Sequence, residues 1–274
     1  MNLIDVAVLS EKRRDMLLLI EKEPRSLEEI ESLLDIGSAS IKHHIKKLVN
    51  SRLLVEEKGK YELSEMATPV IKNLKELLDS LTFFEKNMDY WTSHDLTPIP
   101  NFLMKRLGEL GRLEFIERDN AYMFEIPGII LEKIRESKEV FTFFSCLHPE
   151  VPYIYPELAE KGLKLSLCVT EPITERLFRD SPDETKRLLK AENSKLFYCR
   201  KDVNLPILVV TDRFMTIELF RNNGRLSNQL IICSGKGALH WGKELYMYYE
   251  EASEPVTLKL EHEDSLSYEQ SSSV

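Results

Sequence analysis

The stretch SASIKHHIKKLVNSRLLVEEKGKYEL, Ser38 to Leu63, decides the first half of the fold. Ile41, Ile45, Leu48 and Val49 recur at i, i+4, i+7 and i+8, the core-facing stripe of an amphipathic helix. Lys42, His43, Lys46, Lys47 and Asn50 fall on the opposite face. Then Leu53-Leu-Val-Glu-Glu and Lys60-Tyr-Glu-Leu alternate as two short strands around Lys58-Gly59, the signature of a tight hairpin. The stretch holds six Lys/Arg within a chain whose formal net charge is -9.

Working upstream, Ser10 offers an N-cap for a helix that turns Met16, Leu17, Leu19 and Ile20 inward and stops near Pro24. Ser26 with Glu29 three residues later predicts a capping box, with Leu27, Ile30, Leu33 and Leu34 forming one face. Gly37 supplies the break, with freedom for positive φ. Helix, helix, turn, helix, basic hairpin is the order of a winged helix-turn-helix. In such a module Lys46, Lys47, Arg52, Lys58 and Lys60 meet phosphates, which position without specifying. Ser40, Lys42 and His43, near the start of the third helix, are the candidates for base edges, and Ser38 completes the DNA-binding set. Residues 1–64 balance eleven Lys/Arg against twelve Asp/Glu, so the positive charge is confined to the patch. The acidic Glu56 and Glu57 keep open a second use of the module, as an adaptor that binds protein.

Downstream, Val70, Leu74, Leu77, Leu81, Phe84, Met88 and Trp91 step by 4, 3, 4, 3, 4 and 3, a heptad seam. Pro69 sits in the first turns, where a helix tolerates it. The seam predicts a helix over 65–97 that pairs with its copy, making a homodimer. The polar, Pro-rich TSHDLTPIPN (Thr92–Asn101) marks the start of a second domain, 98–250.

In that domain strand-like runs at Val140–Ser145, Leu163–Val169, Lys195–Cys199, Ile207–Thr211, Phe214–Leu219 and Leu230–Cys233 alternate with helical ones at Pro127–Glu136, Pro149–Lys161, Ile173–Leu189 and Lys236–Tyr249. The alternation predicts an α/β domain with a mostly parallel sheet, giving an α+β / α/β two-domain chain overall. Ligands of such sheets bind beyond the carboxyl ends of the strands. His148, Tyr153, Tyr155, Glu171, Arg200, Asp212 and Arg213 fall at expected strand ends and are the candidates for a pocket that receives a small-molecule or protein effector. The tail 251–274 turns acidic and then Ser-rich, and is expected to be disordered beyond Leu260.

Several functional classes are excluded or weakened. No apolar run reaches the ~18 residues of a membrane span, and the first residues lack a signal-peptide pattern, so a cytoplasmic location is expected. Cys146, Cys168, Cys199 and Cys233 show no C-x-x-C spacing, so neither a zinc site nor a disulfide framework is expected. They do raise a thiol-based redox sensor as an alternative. No G-x-S-x-G, Walker A, H-E-x-x-H or G-x-G-x-x-G occurs. No catalytic residue, metal or cofactor is called for.

The segments KIRESKEVFTFF, YPELAEKGLKLSLCVTEP, LPILVVTDRFMTIELF and ALHWGKELYMYYEE, set behind a winged helix and a long helix, resemble the archaeal winged-helix regulators of methanogens. The second domain of that family is the methanogenesis-regulator middle domain. It is also similar to the phospholipase-D-like sensor domains of TrmB-type regulators. The H-x-K motif of phospholipase D occurs only as His44-Ile-Lys46, outside that domain. The resemblance implies a transcription regulator. Joined to the basic module, the heptad seam, the pocket candidates and the absent catalytic motifs, it gives the expectation of a dimeric, cytoplasmic, DNA-binding regulator with an effector-sensing C-terminal domain, and no enzyme.

Overall fold

A computed structural model of the chain describes residues 2–119 and 125–258. The tail expected to be disordered beyond Leu260 lies outside the described residues. The chain divides into two compact units, Met1–Thr82 and Phe83 onward.

The first unit runs α1 (Leu3–Ala7), α2 (Glu11–Lys22), α3 (Leu27–Leu34), α4 (Ser38–Asn50), β1 (Leu54–Glu57), β2 (Lys60–Leu63) and most of α5 (Ala67–Lys86). Its core gathers Met16, Leu17, Ile20, Ile30, Ile41, Ile45, Leu48, Ile71 and Leu74 from the helices, with Leu53 from the link to the wing, whereas Leu33, expected on the inner face of α3, is exposed. Ser26 and Glu29 close the predicted capping box on α3. Ser10 stands at the cap of α2, but its side chain makes no cap bond. The left-handed residue between α3 and α4 is Asp35 (φ 49°), not Gly37, which has an ordinary φ of -58° and caps α4 through its backbone. Asp tolerates this conformation through its short polar side chain. Five-residue α1 is too short to show a period. Arg13 fixes it by donating from Nε to Val6 O at 2.8 Å and from Nη2 to Asp5 O at 2.8 Å, covering carbonyls that the helix end leaves open.

The expected continuous helix over 65–97 is broken. α5 ends at Lys86, Asn87 turns the chain, and α6 (Met88–Ser93) is a separate short helix. The heptad residues part accordingly. Leu74 is buried in the first core, and Trp91 is buried in the second, against Phe83, Phe84 and Tyr90. Val70, Leu77 and Leu81 remain exposed along α5, and Met88 is exposed on α6.

The second unit continues with α7 (Asn101–Met104), a 3-10 turn (Leu107–Leu110), β3 (Glu114–Glu117), α8 (Gly128–Arg135), β4 (Glu139–Phe144), α9 (Val151–Glu160) and β5 (Lys164–Thr170). Then come α10 (Glu171–Asp180), α11 (Pro182–Lys190), β6 (Ser194–Cys199), β7 (Ile207–Thr211), β8 (Met215–Glu218), β9 (Gln229–Cys233), α12 (Lys236–Glu250) and β10 (Ser253–Pro255). The single helix expected over Ile173–Leu189 is two. Pro182 has no N–H to continue α10 and instead opens α11.

Eight strands form one sheet in the order β10-β6-β5-β4-β7-β8-β9-β3. The expectation of a mostly parallel sheet is corrected: among the described residues only β4-β5 and β5-β6 run parallel, and the other pairings are antiparallel. The connections give the reason. Helical crossovers through α9 and through α10–α11 return the chain in the same direction, whereas β7 and β8 are joined by a turn too short for a crossover. β3 lies outside the expected strands, because EFIE buries little of its surface and shows no apolar run. β10 is also a correction, since the expected acidic tail begins with an ordered edge strand on β6.

Alternation along the strands assigns the two faces. Phe143, Cys168, Leu208, Val210, Ile217 and Ile231 pack with α12, whose Trp241 Nε1 donates to Leu103 O at 3.0 Å. Phe144, Leu167, Leu196, Val209, Leu230 and Ile232 pack with α8, α9, α10 and α11. The sheet is thus covered on both sides, which its near-continuous apolar strands require.

Candidate nucleic-acid interface and buried cavity

In the first unit, Ile41, Ile45 and Leu48 anchor α4 in the core and so fix which face it shows. Lys42, His43, Lys46, Lys47 and Asn50 are exposed on that face, and Ser38 and Ser40 are half-buried at its start. The hairpin turn has positive φ at both central residues, Lys58 (53°) and Gly59 (78°). Glu57 pairs with Lys60 across it, so this is the two-residue turn whose twist matches paired strands. Arg52 also takes a left-handed φ of 59° and is exposed between α4 and the wing. The nine expected contact residues therefore lie on α4, the wing and the link between them.

Neighbouring charges refine the patch. Lys58 lies 3.8 Å from Glu57 and Lys60 4.0 Å from Glu29, whereas Lys42, Lys46, Lys47 and Arg52 make no salt bridge among the described residues. His44, half-buried beneath the patch, has its pKa lowered by burial and then by the charges of Arg13, His43, Lys12 and Lys47. Lys12 and Arg13 thus extend the positive field beyond the residues that sequence reading selected. Their signal was a dibasic run in the first turn of α2, which only the folded unit brings toward α4.

In the second unit the expected pocket residues do not converge. Tyr153 is exposed on α9. Glu171 opens α10. Arg200 donates to Tyr198 Oη at 3.0 Å and pairs with Glu254 at 3.2 Å. Asp212 accepts from Lys138 N at 2.9 Å, and Arg213 pairs with Glu136 at 2.7 Å, so both close the turn between β7 and β8 onto the chain before β4. Only His148 and Tyr155 come together, at a small, apolar-walled cavity of about 30 Å³ between the sheet and helices α8 and α9.

That cavity sits near the C-terminal end of β4. Ile130 and Ile134 line it from α8, Val151 and Tyr155 from α9, and Phe144, Val209, Thr216 and Leu230 from the sheet. His148 follows β4, and Arg118 follows β3 on the same sheet face. Arg118 and Glu218, buried to 8% and 0% exposure, form an ion pair through Nη2, which also donates to Ser227 O at 3.0 Å. Burial raises the Glu218 carboxyl above its ordinary range despite the guanidinium beside it. Arg118 Nε and Glu218 Oε2 have no hydrogen-bond partner among the described residues. Neither ring nitrogen of His148 makes a well-formed hydrogen bond, although the Glu125 backbone adjoins the ring and the Glu150 carboxylate lies 4.0 Å from Nδ1. Burial lowers the His148 pKa, so the ring is neutral near pH 7.

The thiols offer no reactive counterpart. Cys168, Cys199 and Cys233 are buried, and burial pushes Cys168 and Cys233 up to about 12 and raises Cys146 as well. The thiolate is the reactive form, so these environments oppose redox sensing. Among the described residues no cluster of His, Cys, Asp or Glu is placed to hold a metal ion, and no helix is long and apolar enough to cross a membrane.

Together these features define a two-unit chain: a winged helix-turn-helix followed by a separate α/β unit. Comparisons with known proteins agree. Residues 8–57 match the model of a helix-turn-helix domain, and residues 123–252 match that of the methanogenesis regulatory protein FilR1, middle domain. The chain is similar to the methanogenesis regulatory protein FilR1 of Methanothrix harundinacea (strain 6Ac), 27% identical over 258 residues. The match takes in 91% of this chain and 57% of that relative, so the chain spans a little over half of the relative's length. Among solved structures, TrmBL2, described as an archaeal chromatin protein with a novel mode of DNA binding, aligns with a TM-score of 0.43 at 15% identity, covering 89% of this chain and 92% of its own. Nuc, a phospholipase D family member from Salmonella typhimurium, aligns at 0.36 and 11% identity over 53% of this chain and 98% of its own. Likenesses this weak carry no argument.

Proposed function

We propose that this chain is a DNA-binding transcription regulator of the methanogenesis-regulator type, in which the α/β unit senses an effector and modulates operator binding. The observation that carries the reading is the exposed basic face of α4 beside a basic wing, on a helix-turn-helix core. The likeness to FilR1 supports it. The patch contacts phosphates through Lys46, Lys47, Arg52, Lys58 and Lys60, and base edges through Ser38, Ser40, Lys42 and His43. The same reading places the protein in the cytoplasm and gives it no catalytic role.

We further propose a homodimer through α5. Val70, Leu77 and Leu81 are exposed at a spacing of 7 and 4, one stripe of an otherwise polar helix face. Leu74 and Trp91 are committed to the cores and do not contribute, and Phe84 packs on the second one. A dimer presents two recognition helices and so reads two half-sites.

Binding to fragmented genomic DNA of the source organism, with sequencing of the retained pieces and a salt titration, tests this function. Recovery of a few pseudo-palindromic sites, weakened by Lys46→Ala, is the expected result. A folded protein that retains no DNA at low salt, with or without cell extract, overturns it.

A further inference from the structure

We propose that the DNA contact continues from α4 onto the first turn of α2, where Lys12 and Nε2 of His44 hold a backbone phosphate together with Lys47. This deepens the DNA-binding role proposed above and rests on it. It adds two residues, and the seam between two helices, to a contact otherwise confined to α4, the wing and the link between them.

Three observations lead there. The first is position. Residues three and four apart share a side of a helix, so His44 stands between Ser40, four before it, and Lys47, three after it. Both neighbours belong to the proposed DNA set, and the half-buried His44 lies between their side and the core residues Ile41 and Ile45. The second is charge. α2 packs against α4, and its first turn brings Lys12 and Arg13 near enough to act on the His44 ring, as Lys47 and His43 do from α4 itself. Arg13 is fixed in place by its bonds to Val6 O and Asp5 O, both at 2.8 Å, so its charge stays at the seam. Lys12 is exposed and makes no salt bridge among the described residues, while Asp15 of the same helix is taken up by Arg14 at 3.5 Å. The third is the ring. Its Nδ1 is buried without a partner, and a proton there would be a buried donor with no acceptor. The proton of the uncharged ring therefore sits on Nε2, which leaves that nitrogen as the donor to an acceptor outside.

Two lysines, a fixed guanidinium and one N–H donor call for an anion with several acceptor oxygens. Beside a helix in the major groove, that anion is a phosphate of the flanking backbone. The two added residues hold it in different ways. Lys12 replaces a condensed counterion, so its share of the affinity falls as salt rises. Burial first, and then Arg13, His43, Lys12 and Lys47, lower the His44 pKa, so near pH 7 the ring is uncharged. An uncharged donor displaces no counterion, and its share does not depend on salt. A solvated basic turn, or a His44 that only packs α2 on α4, gives neither pattern.

The test uses the full-length protein and a labelled duplex recovered from the genomic selection, with anisotropy read across a salt titration. Lys12→Ala lowers the salt slope by about 0.9 per bound protomer and weakens binding roughly tenfold at ~0.1 M salt. His44→Leu weakens binding about tenfold at every salt concentration and leaves the slope unchanged, because a hydrogen bond to a charged acceptor is lost and no counterion is involved. His44→Gln, whose amide nitrogen still donates, stays within about threefold of the wild type. The imidazole nitrogen signals of the free protein near pH 7 show an uncharged ring with its proton on Nε2. Lys12 is exposed, so Lys12→Ala keeps the test open whatever His44→Leu does to folding. An unchanged slope in Lys12→Ala, wild-type affinity in His44→Leu, a slope reduced by His44→Leu, or equal weakness of folded His44→Gln and His44→Leu overturns the proposal. A wild-type protein that binds no duplex at low salt refutes the regulator reading itself. A wild-type protein that binds while Lys12→Ala and His44→Leu match it refutes only the seam and leaves the reader on α4.

Discussion

Replacing Lys46 and Lys47 together by Ala tests the interface quantitatively. Of the six Lys/Arg between Ser38 and Leu63, Lys58 and Lys60 each have a carboxylate within 4.0 Å, whereas Lys42, Lys46, Lys47 and Arg52 are exposed without a salt bridge among the described residues. Lys42 is assigned to base edges, so counting Lys46, Lys47 and Arg52 as phosphate contacts, each bound protomer contributes about -3 to the slope of log K against log salt, and the double variant only about -1. A dimer on two half-sites doubles both figures, to about -5 and about -2, so the slope also reports how many protomers bind. The loss at ~0.1 M salt is on the order of a hundredfold per protomer, since each released counterion is worth roughly tenfold there. Both side chains are exposed on a helix, and Ala is a better helix former than Lys, so stability should hold or rise slightly. Fluorescence anisotropy of a labelled operator fragment, titrated from about 50 to about 400 mM KCl, reads the slope directly. A slope that stays at its wild-type value, with the helical circular dichroism and melting temperature intact, refutes the assignment of α4 to the DNA.

Three further outcomes follow from the packing and the buried groups. A Cβ at Gly237 meets the Glu109 carbonyl oxygen at 2.7 Å, so Gly237→Ala forces α12 away from the 3-10 turn; a loss of roughly 1–3 kcal/mol is expected, read as a drop of several degrees in melting temperature. If α5 pairs as proposed, Leu77→Glu with Leu81→Glu gives a monomeric mass by light scattering where the wild type gives a dimeric one, with the melting temperature within a few degrees, because both side chains are exposed in the chain alone. His94 is 2% exposed, donates from Nδ1 to Tyr90 O at 2.7 Å and accepts at Nε2 from Ser227 Oγ at 2.9 Å. Burial lowers its pKa, so as the pH falls below ~6.5 the unfolded chain takes up a proton that the folded one resists, and stability drops. His94→Gln should flatten the fall in stability between about pH 6.5 and 5 by up to ~1 kcal/mol per pH unit, measured by urea denaturation, with part of the slope remaining from His44 and His148.

The first unit was legible because its signals are local. The capping box of Ser26 and Glu29, the stripe of Ile41, Ile45 and Leu48, and the Lys58-Gly59 turn each depend on residues within a few positions of one another. Strand positions in the second unit were legible for the same reason, while strand direction was not. Direction depends on whether a connection crosses the sheet, and the short link between β7 and β8 is a feature of length rather than periodicity. The heptad stripe misled because its period continues through Asn87, where the helix stops. A period describes which residues can share a face, not whether the helix carrying them continues.

The cavity was illegible for a deeper reason. Arg118 and Glu218 stand a hundred positions apart and meet because β3 and β9, and β9 and β8, pair antiparallel on one sheet. Nothing near Glu218 in MTIELF marks a buried charge, since alternation there predicts only which face it takes. Taking that pair out of water costs several kcal/mol per ion before their attraction is counted, so removing either partner alone leaves an uncompensated buried charge. Arg118 Nη2 also donates to Ser227 O at 3.0 Å, so one guanidinium ties the end of β3 both to β8 and to the segment that enters β9. A single side chain thus joins three segments that no local pattern in the sequence links, and only the folded sheet makes the contact readable.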